Sequence, residues 1–132
     1  MSNNITADNC IFCKIVASSI PAHKVYEDSL AIAFLDINPE SCGHVQVIPK
    51  DHHRWVWDIP EIGKFYEAVR KVALAQRKAF GTNWIISRVV GDAVPHAHVW
   101  LIPASGTDDR TYKYKEGEME TVAKKIRFAL NS

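Results

Sequence analysis

The chain has 132 residues, 47% apolar and 23% charged, with a formal net charge of +1. That length suits one domain around one core, and the near-balanced charge, with no basic block, gives composition no case for nucleic-acid binding. No run approaches the ~18 apolar residues of a membrane span, and three cysteines, an odd number, argue against a disulfide framework.

Residues 1–9 are polar, lack the apolar run of a secretory signal and read as a disordered lead to a single domain over 10–132. A cytoplasmic, reducing location is the simplest expectation. Ile11, Phe12, Ile15 and Val16 fall at helical spacing, predicting a short helix over 10–17 that the Ser-Ser-Ile-Pro turn closes. Strands are predicted over Lys24–Glu27, over the almost wholly apolar and therefore central Leu30–Leu35, and over Gly43–Ile48 with Pro49 ending it. The clearest helix spans 59–80, with Ile62, Phe65, Tyr66, Val69, Val72, Ala73, Gln76 and Phe80 in one stripe. Asp58, Pro60 and Glu61 signal its start and Gly81 its stop. Asn83–Val90 and Pro95–Ile102 read as strands joined by a short turn at Gly91-Asp92-Ala93, and Ala104–Asp109 as a loop. A last helix over about 117–130 has glutamates at its start and Lys124, Lys125 and Arg127 near its end, as the helix dipole prefers. Hairpin-length turns in this order predict an α+β fold with helices on an antiparallel sheet.

The run Pro95-His96-Ala97-His98-Val99-Trp100 carries the most chemistry. Strand alternation puts His96, His98 and Trp100 on one face, about 7 Å apart. A neutral imidazole can act as a nucleophile when its second nitrogen is held by an acceptor; two ordinary strand histidines are the simpler alternative. Cys10-Ile11-Phe12-Cys13 has the spacing of two zinc-binding thiolates, and His52 and His96 would complete a closed Cys2His2 set. His44 and His53 could substitute for His52, Cys13 could be a small core residue, and a redox role is weaker without a surrounding βαβ pattern. Cys42 reads as a loop thiol. Asp36 could hydrogen-bond the paired hydroxyls of a sugar or simply form the turn before Asn38-Pro39. Ile11, Phe12, Ile15 and Phe34 could wall a flat ligand or simply be core.

Several separated segments resemble the histidine-triad (HIT) family in the same order. They are the stretch from Cys10 to Asp28, Ala33-Phe-Leu-Asp-Ile-Asn-Pro39, Gly43-His-Val-Gln-Val-Ile-Pro-Lys50 followed by His52, and Pro95–Pro103. The resemblance implies an α+β fold with a five-stranded antiparallel sheet, two main helices and a short N-terminal helix, as a homodimer. It implies a nucleotide site, for a purine nucleoside phosphate, and nucleotidyl hydrolase or transferase chemistry. The nucleophile is then His98, facing an open crevice and forming a nucleotidyl-histidine. Base and ribose contacts fall on Ile11, Phe12, Ile15, Phe34, Asp36 and Ile37, with Asp36 on the ribose hydroxyls. Structural zinc falls on Cys10, Cys13, His52 and His96.

The sequence departs from the family where phosphate would bind. Trp100 takes the place of the third triad histidine, which helps bind phosphate and assists the leaving group; indole has one N–H donor and relays no proton. Ala93 stands where a phosphate-contacting serine is usual and Asp92 where a glutamine is, and the preceding loop is shortened to Ser87–Gly91. Arg88 is either a compensating phosphate ligand or a solvent-facing residue. The zinc-adjacent His96-Ala97-His98 pair also resembles the galactose-1-phosphate uridylyltransferases, which likewise lack the third histidine. A catalytically impaired nucleotide-binding protein and a zinc-stabilised scaffold are the alternatives to an enzyme.

Overall fold

Alternation along the strands builds a sheet with two buried faces. A computed structural model describes residues 9–104 and 112–131; the polar lead before Asn9 and most of the loop expected over Ala104–Asp109 lie outside them. The strands are β1 (Lys24–Glu27), β2 (Ala31–Leu35), β3 (Val45–Pro49), β4 (Ile85–Arg88) and β5 (Val99–Pro103). They form one antiparallel sheet in the order β1-β2-β3-β5-β4. Every residue of β2 is buried, as its unbroken apolar sequence requires of an interior strand. The β1–β2 hairpin is tied by Asp28, whose Oδ1 accepts from the backbone N–H groups of Leu30 and Ala31 at 2.7 and 2.8 Å.

Ala31, Ala33, Leu35, Val45, Val47, Val99 and Leu101 point to one side, into the main core with α2 (Ile62–Phe80) and α3 (Glu118–Leu130). The stripe on α2 buries Phe65, Val69, Val72 and Gln76. Gln76, with no exposure, is satisfied in part by donating from Nε2 to the carbonyls of Gly43 and Leu101 at 2.9 and 3.1 Å. Gly81 ends α2 in the left-handed region, at φ 63°, with its N–H on the Arg77 carbonyl. The start differs from expectation: Val56–Asp58 forms a separate 3-10 turn and α2 begins at Ile62, so Asp58 does not cap it. Among the described residues, no helix is long and apolar enough to cross a membrane.

The other side of the sheet carries a second, smaller cluster. There Ile32, Phe34 and Ile48 pack under α1 (Ile11–Val16) through Phe12, Cys13 and Ile15. A six-residue helix is too short to persist in isolation. It is held by this packing and by the Cys10 Sγ, which caps it by accepting from the Cys13 N–H at 3.4 Å. The strand predicted from Pro95 starts only at Val99. The preceding segment lacks a sheet partner because the Ala97 N–H goes to the carbonyl of His53 at 2.7 Å and the His96 N–H to that of Val94 at 2.8 Å.

Candidate functional site

The side of the sheet under α1 holds the chemistry. Cys10 and Cys13 lie one helical turn apart at the start of α1, His52 follows β3, and His96 arrives on the segment leading into β5. Their donor atoms all lie within 4.8 Å of one another. His96 Nδ1 is 3.4 Å from Cys10 Sγ and 3.5 Å from Cys13 Sγ, and His52 Nδ1 is 3.2 Å from Cys13 Sγ. On its other nitrogen, Nε2, His96 donates to the Pro49 carbonyl at 2.9 Å, which leaves the Nδ1 lone pair for the cluster. Burial, and then the neighbouring Cys10, push the Cys13 thiol up to about 12. Burial brings the His96 imidazole down to about 4, against the Pro49 bond, and lowers His52 as well. These shifts hold Cys13, His52 and His96 towards their neutral forms, which suits a place where positive charge would be supplied by an ion. His44 and His53, the alternatives to His52, are not part of this cluster.

His98 lies next to this cluster but not in it. The expectation of a ring facing an open crevice is corrected: the residue is 2% exposed. Phe12 stands edge-on to it at 5.4 Å, and the same phenyl ring meets Phe34 at 5.5 Å and His96 at 5.8 Å. His98 Nδ1 lies 2.7 Å from the carbonyl oxygen of His96. A carbonyl only accepts, so Nδ1 carries the proton and Nε2 holds the lone pair.

Of the apolar wall, Phe12, Ile15 and Phe34 are buried together, whereas Ile11 at 48% and Ile37 at 76% are exposed. Asp36 follows β2; its Oδ1 accepts from the Asn38 N–H at 2.8 Å and its Oδ2 from Gln46 Nε2 at 3.0 Å. The turn reading of Asp36 is therefore realised, without using all of a carboxylate's lone pairs.

Sequence reasoning missed a polar cluster on the same side of the sheet. Gln46 of β3 lies opposite Trp100 of β5, and His44 meets the Trp100 ring at 5.3 Å in an edge-on contact. His44 Nδ1 accepts from the Glu40 N–H at 3.1 Å, so its neutral ring carries its proton on Nε2. That nitrogen is 3.5 Å from Asp36 Oδ2, close enough for attraction but outside hydrogen-bond geometry. Among the described residues, His44 Nε2, Gln46 Oε1 and Trp100 Nε1 are buried without a hydrogen-bond partner, as is His52 Nε2 of the neighbouring cluster. A polar residue inside the apolar Val45–Pro49 run was the available signal for Gln46; the cross-strand register that joins it to Trp100 is not written locally. Arg88 does not serve as a free cation, because its guanidinium NH1 donates to both carboxylate oxygens of Glu40 at 3.0 Å. Asp92 and Ala93 are exposed.

Gly91 opens the segment that carries both histidines. Its φ of 84° is left-handed, and a Cβ there would come within 2.7 Å of the Trp55 ring. Arg54 stacks on that ring at 3.8 Å and donates to the Gly91 carbonyl at 2.8 Å. A groove of about 630 Å³ between β1, α2 and α3 is lined by no histidine or cysteine, and it lies away from this chemistry.

The HIT domain pattern matches residues 17–107, and the chain belongs to that family, with tryptophan in place of the third triad histidine. It is 38% identical over 127 residues to an uncharacterized HIT-like protein of Methanocaldococcus jannaschii, covering 89% of this chain and 98% of the other. It is 37% identical over 99 residues to an adenosine 5'-monophosphoramidase of Saccharomyces cerevisiae, covering 71% of this chain and 61% of the other. A zinc-bound histidine-triad family protein of Mycobacterium smegmatis superposes with a TM-score of 0.82 at 28% identity, covering 96% of each chain.

Proposed function

We propose that this chain is a nucleotide-binding hydrolase or nucleotidyl transferase with His98 as its nucleophile. The observation that carries this reading is the orientation of that ring, with Nδ1 held at 2.7 Å by the His96 carbonyl, which leaves the lone pair on Nε2. The lone pair of Nε2 forms a bond to the α-phosphorus of a nucleotidyl phosphoramidate or phosphoanhydride. The bond from phosphorus to the leaving group breaks, and the leaving group takes the electron pair. Water then attacks the nucleotidyl-His98 phosphorus, releasing the nucleoside monophosphate, the free imidazole and one proton; in a transferase another acceptor takes the place of water. The His96 carbonyl stabilises the cationic ring of the intermediate. Ile11, Phe12, Ile15, Phe34 and Ile37 flank a purine base, Asp36 takes the ribose hydroxyls with the lone pairs that Asn38 and Gln46 leave, and Trp100 offers its N–H to the phosphate side. The adenosine 5'-monophosphoramidase activity named for the yeast relative supports the substrate class.

The same reading assigns a structural zinc ion to Cys10, Cys13, His52 and His96. Tetrahedral zinc with bonds of about 2.3 Å to sulfur and 2.0–2.1 Å to nitrogen separates an S and an N ligand by about 3.6 Å. The S–N separations of 3.2–3.5 Å are near that edge. When bound, the ion cross-links α1, the end of β3 and the segment before β5, and it takes no part in the transfer. The zinc-bound M. smegmatis relative supports the choice of metal. A single domain over 10–132, homodimeric assembly and a cytoplasmic location complete the reading, the last in keeping with three unpaired thiols.

The test is turnover of adenosine 5'-monophosphoramidate and of a diadenosine polyphosphate by wild type and His98→Ala. Turnover by wild type that falls by at least about 10³-fold in the variant is expected; equal rates reject His98 as the nucleophile. The burial of His98 and the indole at position 100 favour a second reading, nucleotide binding without catalysis. Calorimetric binding of AMP with no turnover of either substrate would establish that one instead.

A further inference from the structure

We propose, building on His98 as nucleophile, that the site is selective for mixed anhydrides of a nucleoside 5'-phosphate, whose leaving group departs as a stable anion, and is poor towards nucleotidyl amines. The reason is that the described side chains around His98 offer a hydrogen-bond donor but no proton for the leaving group. Trp100, the second residue of β5, follows His98 by two positions and packs on His44, while His98 packs on Phe12 of α1. The Trp100 Nε1–H is buried and has no hydrogen-bond partner among the described residues. An indole N–H can stabilise a departing oxyanion but cannot protonate a departing amine.

The other imidazoles do not supply that proton. His44, packed on Trp100, accepts the Glu40 N–H and turns its own N–H towards Asp36; burial also holds its pKa below the ordinary value. His52 and His96 face the two thiols. His53 lines a recess with Ile59 and Phe65 on the α2 side, and His23 is bonded to Glu120 at the surface. The carboxylates of Asp36 and Glu40 are engaged by Gln46 and Arg88.

The step balances without an acid when the leaving group is a sulfate or carboxylate. Nε2 bonds to the α-phosphorus, the P–O bond to the leaving group breaks, and its electron pair leaves on oxygen, where the Trp100 N–H can meet it. For a phosphoramidate the departing nitrogen must gain a proton as the P–N bond breaks, and no described residue holds one there. General acids ordinarily contribute about 10²–10⁴-fold, which sets the size of the expected selectivity.

The experiment compares kcat/KM for adenosine 5'-phosphosulfate, the 4-nitrophenyl ester of AMP and adenosine 5'-monophosphoramidate. With wild type, the first two exceed the third by at least about 10²-fold. Trp100→His narrows that gap at least about 10-fold by raising phosphoramidate turnover, while Trp100→Phe, which supplies neither a proton nor the indole donor, leaves phosphoramidate turnover low and lowers that of the phosphosulfate. A phosphoramidate rate equal to the phosphosulfate rate in wild type overturns the proposal, even if Trp100→His fails to fold. His98→Ala separates the two claims: retained turnover there rejects the nucleophile, whereas lost turnover alongside equal wild-type rates rejects only the leaving-group selectivity. Absence of turnover with every probe overturns both.

Discussion

Under α1, one corner of the sheet aims four donor atoms at a common point, whereas the corner around Trp100 leaves its buried polar atoms facing no partner. In the first, Cys10, Cys13, His52 and His96 come within 4.8 Å of one another, and the Pro49 carbonyl fixes the tautomer of His96. In the second, His44, Gln46 and Trp100 each keep one unsatisfied atom, while Asp36 and Arg88 are already engaged. An unsatisfied buried group costs about 1–3 kcal/mol. The difference teaches that four convergent donors suit an ion, with only His52 Nε2 left over there, whereas several orphaned donors and acceptors together suit a larger polar ligand or water.

The comparison can be broken at either corner, and the metal corner should respond most. Cys13→Ser should lower bound zinc well below one ion per chain and cost at least about 3 kcal/mol of stability, since metal-binding energy in such sites is folding energy. Metal analysis beside urea unfolding checks it, and an unchanged midpoint in metal-free wild type would count against the assignment. Gly91→Ala comes next. With φ at 84° and Trp55 within 2.7 Å of the new Cβ, it should cost about 1–3 kcal/mol and lower turnover by displacing the His96–His98 segment. The same unfolding experiment with an activity assay reads both effects.

The smallest effect sharpens the Trp100 corner through pH. Burial holds the His44 pKa below its ordinary 6.5, against the pull of Asp36. The unfolded chain therefore binds this proton more readily, and the contribution of His44 is whole above pH 6.5 and declines as the pH falls below it. Unfolding between pH 7.5 and 5 should show a shallower loss of stability in His44→Asn than in wild type. Equal slopes would show that His44 is not held neutral by burial.

Much of this was legible where the signal is local. The α2 stripe with its Gly81 stop, the wholly apolar β2 and the Cys10–Cys13 spacing each follow from residues within a few positions of one another. The start of β5 was not, because the alternating pattern runs back to Pro95 although the Ala97 N–H is taken by His53, a residue 44 positions earlier. The burial of His98 depends on where α1 sets down Phe12, and the Arg88–Glu40 pair joins residues 48 apart. Such facts belong to register and docking, which no short window contains. Trp100 was visible as a departure, but its pairing with Gln46 and His44 was not.

Cys10 does two jobs, since its sulfur both starts α1 and belongs to the four-donor corner. The same short helix carries the phenyl ring that roofs the imidazole at position 98. One sulfur atom therefore ties the start of the helix to the four-donor corner, so that a substitution at Cys10 would disturb the packing on His98 as well as the corner itself.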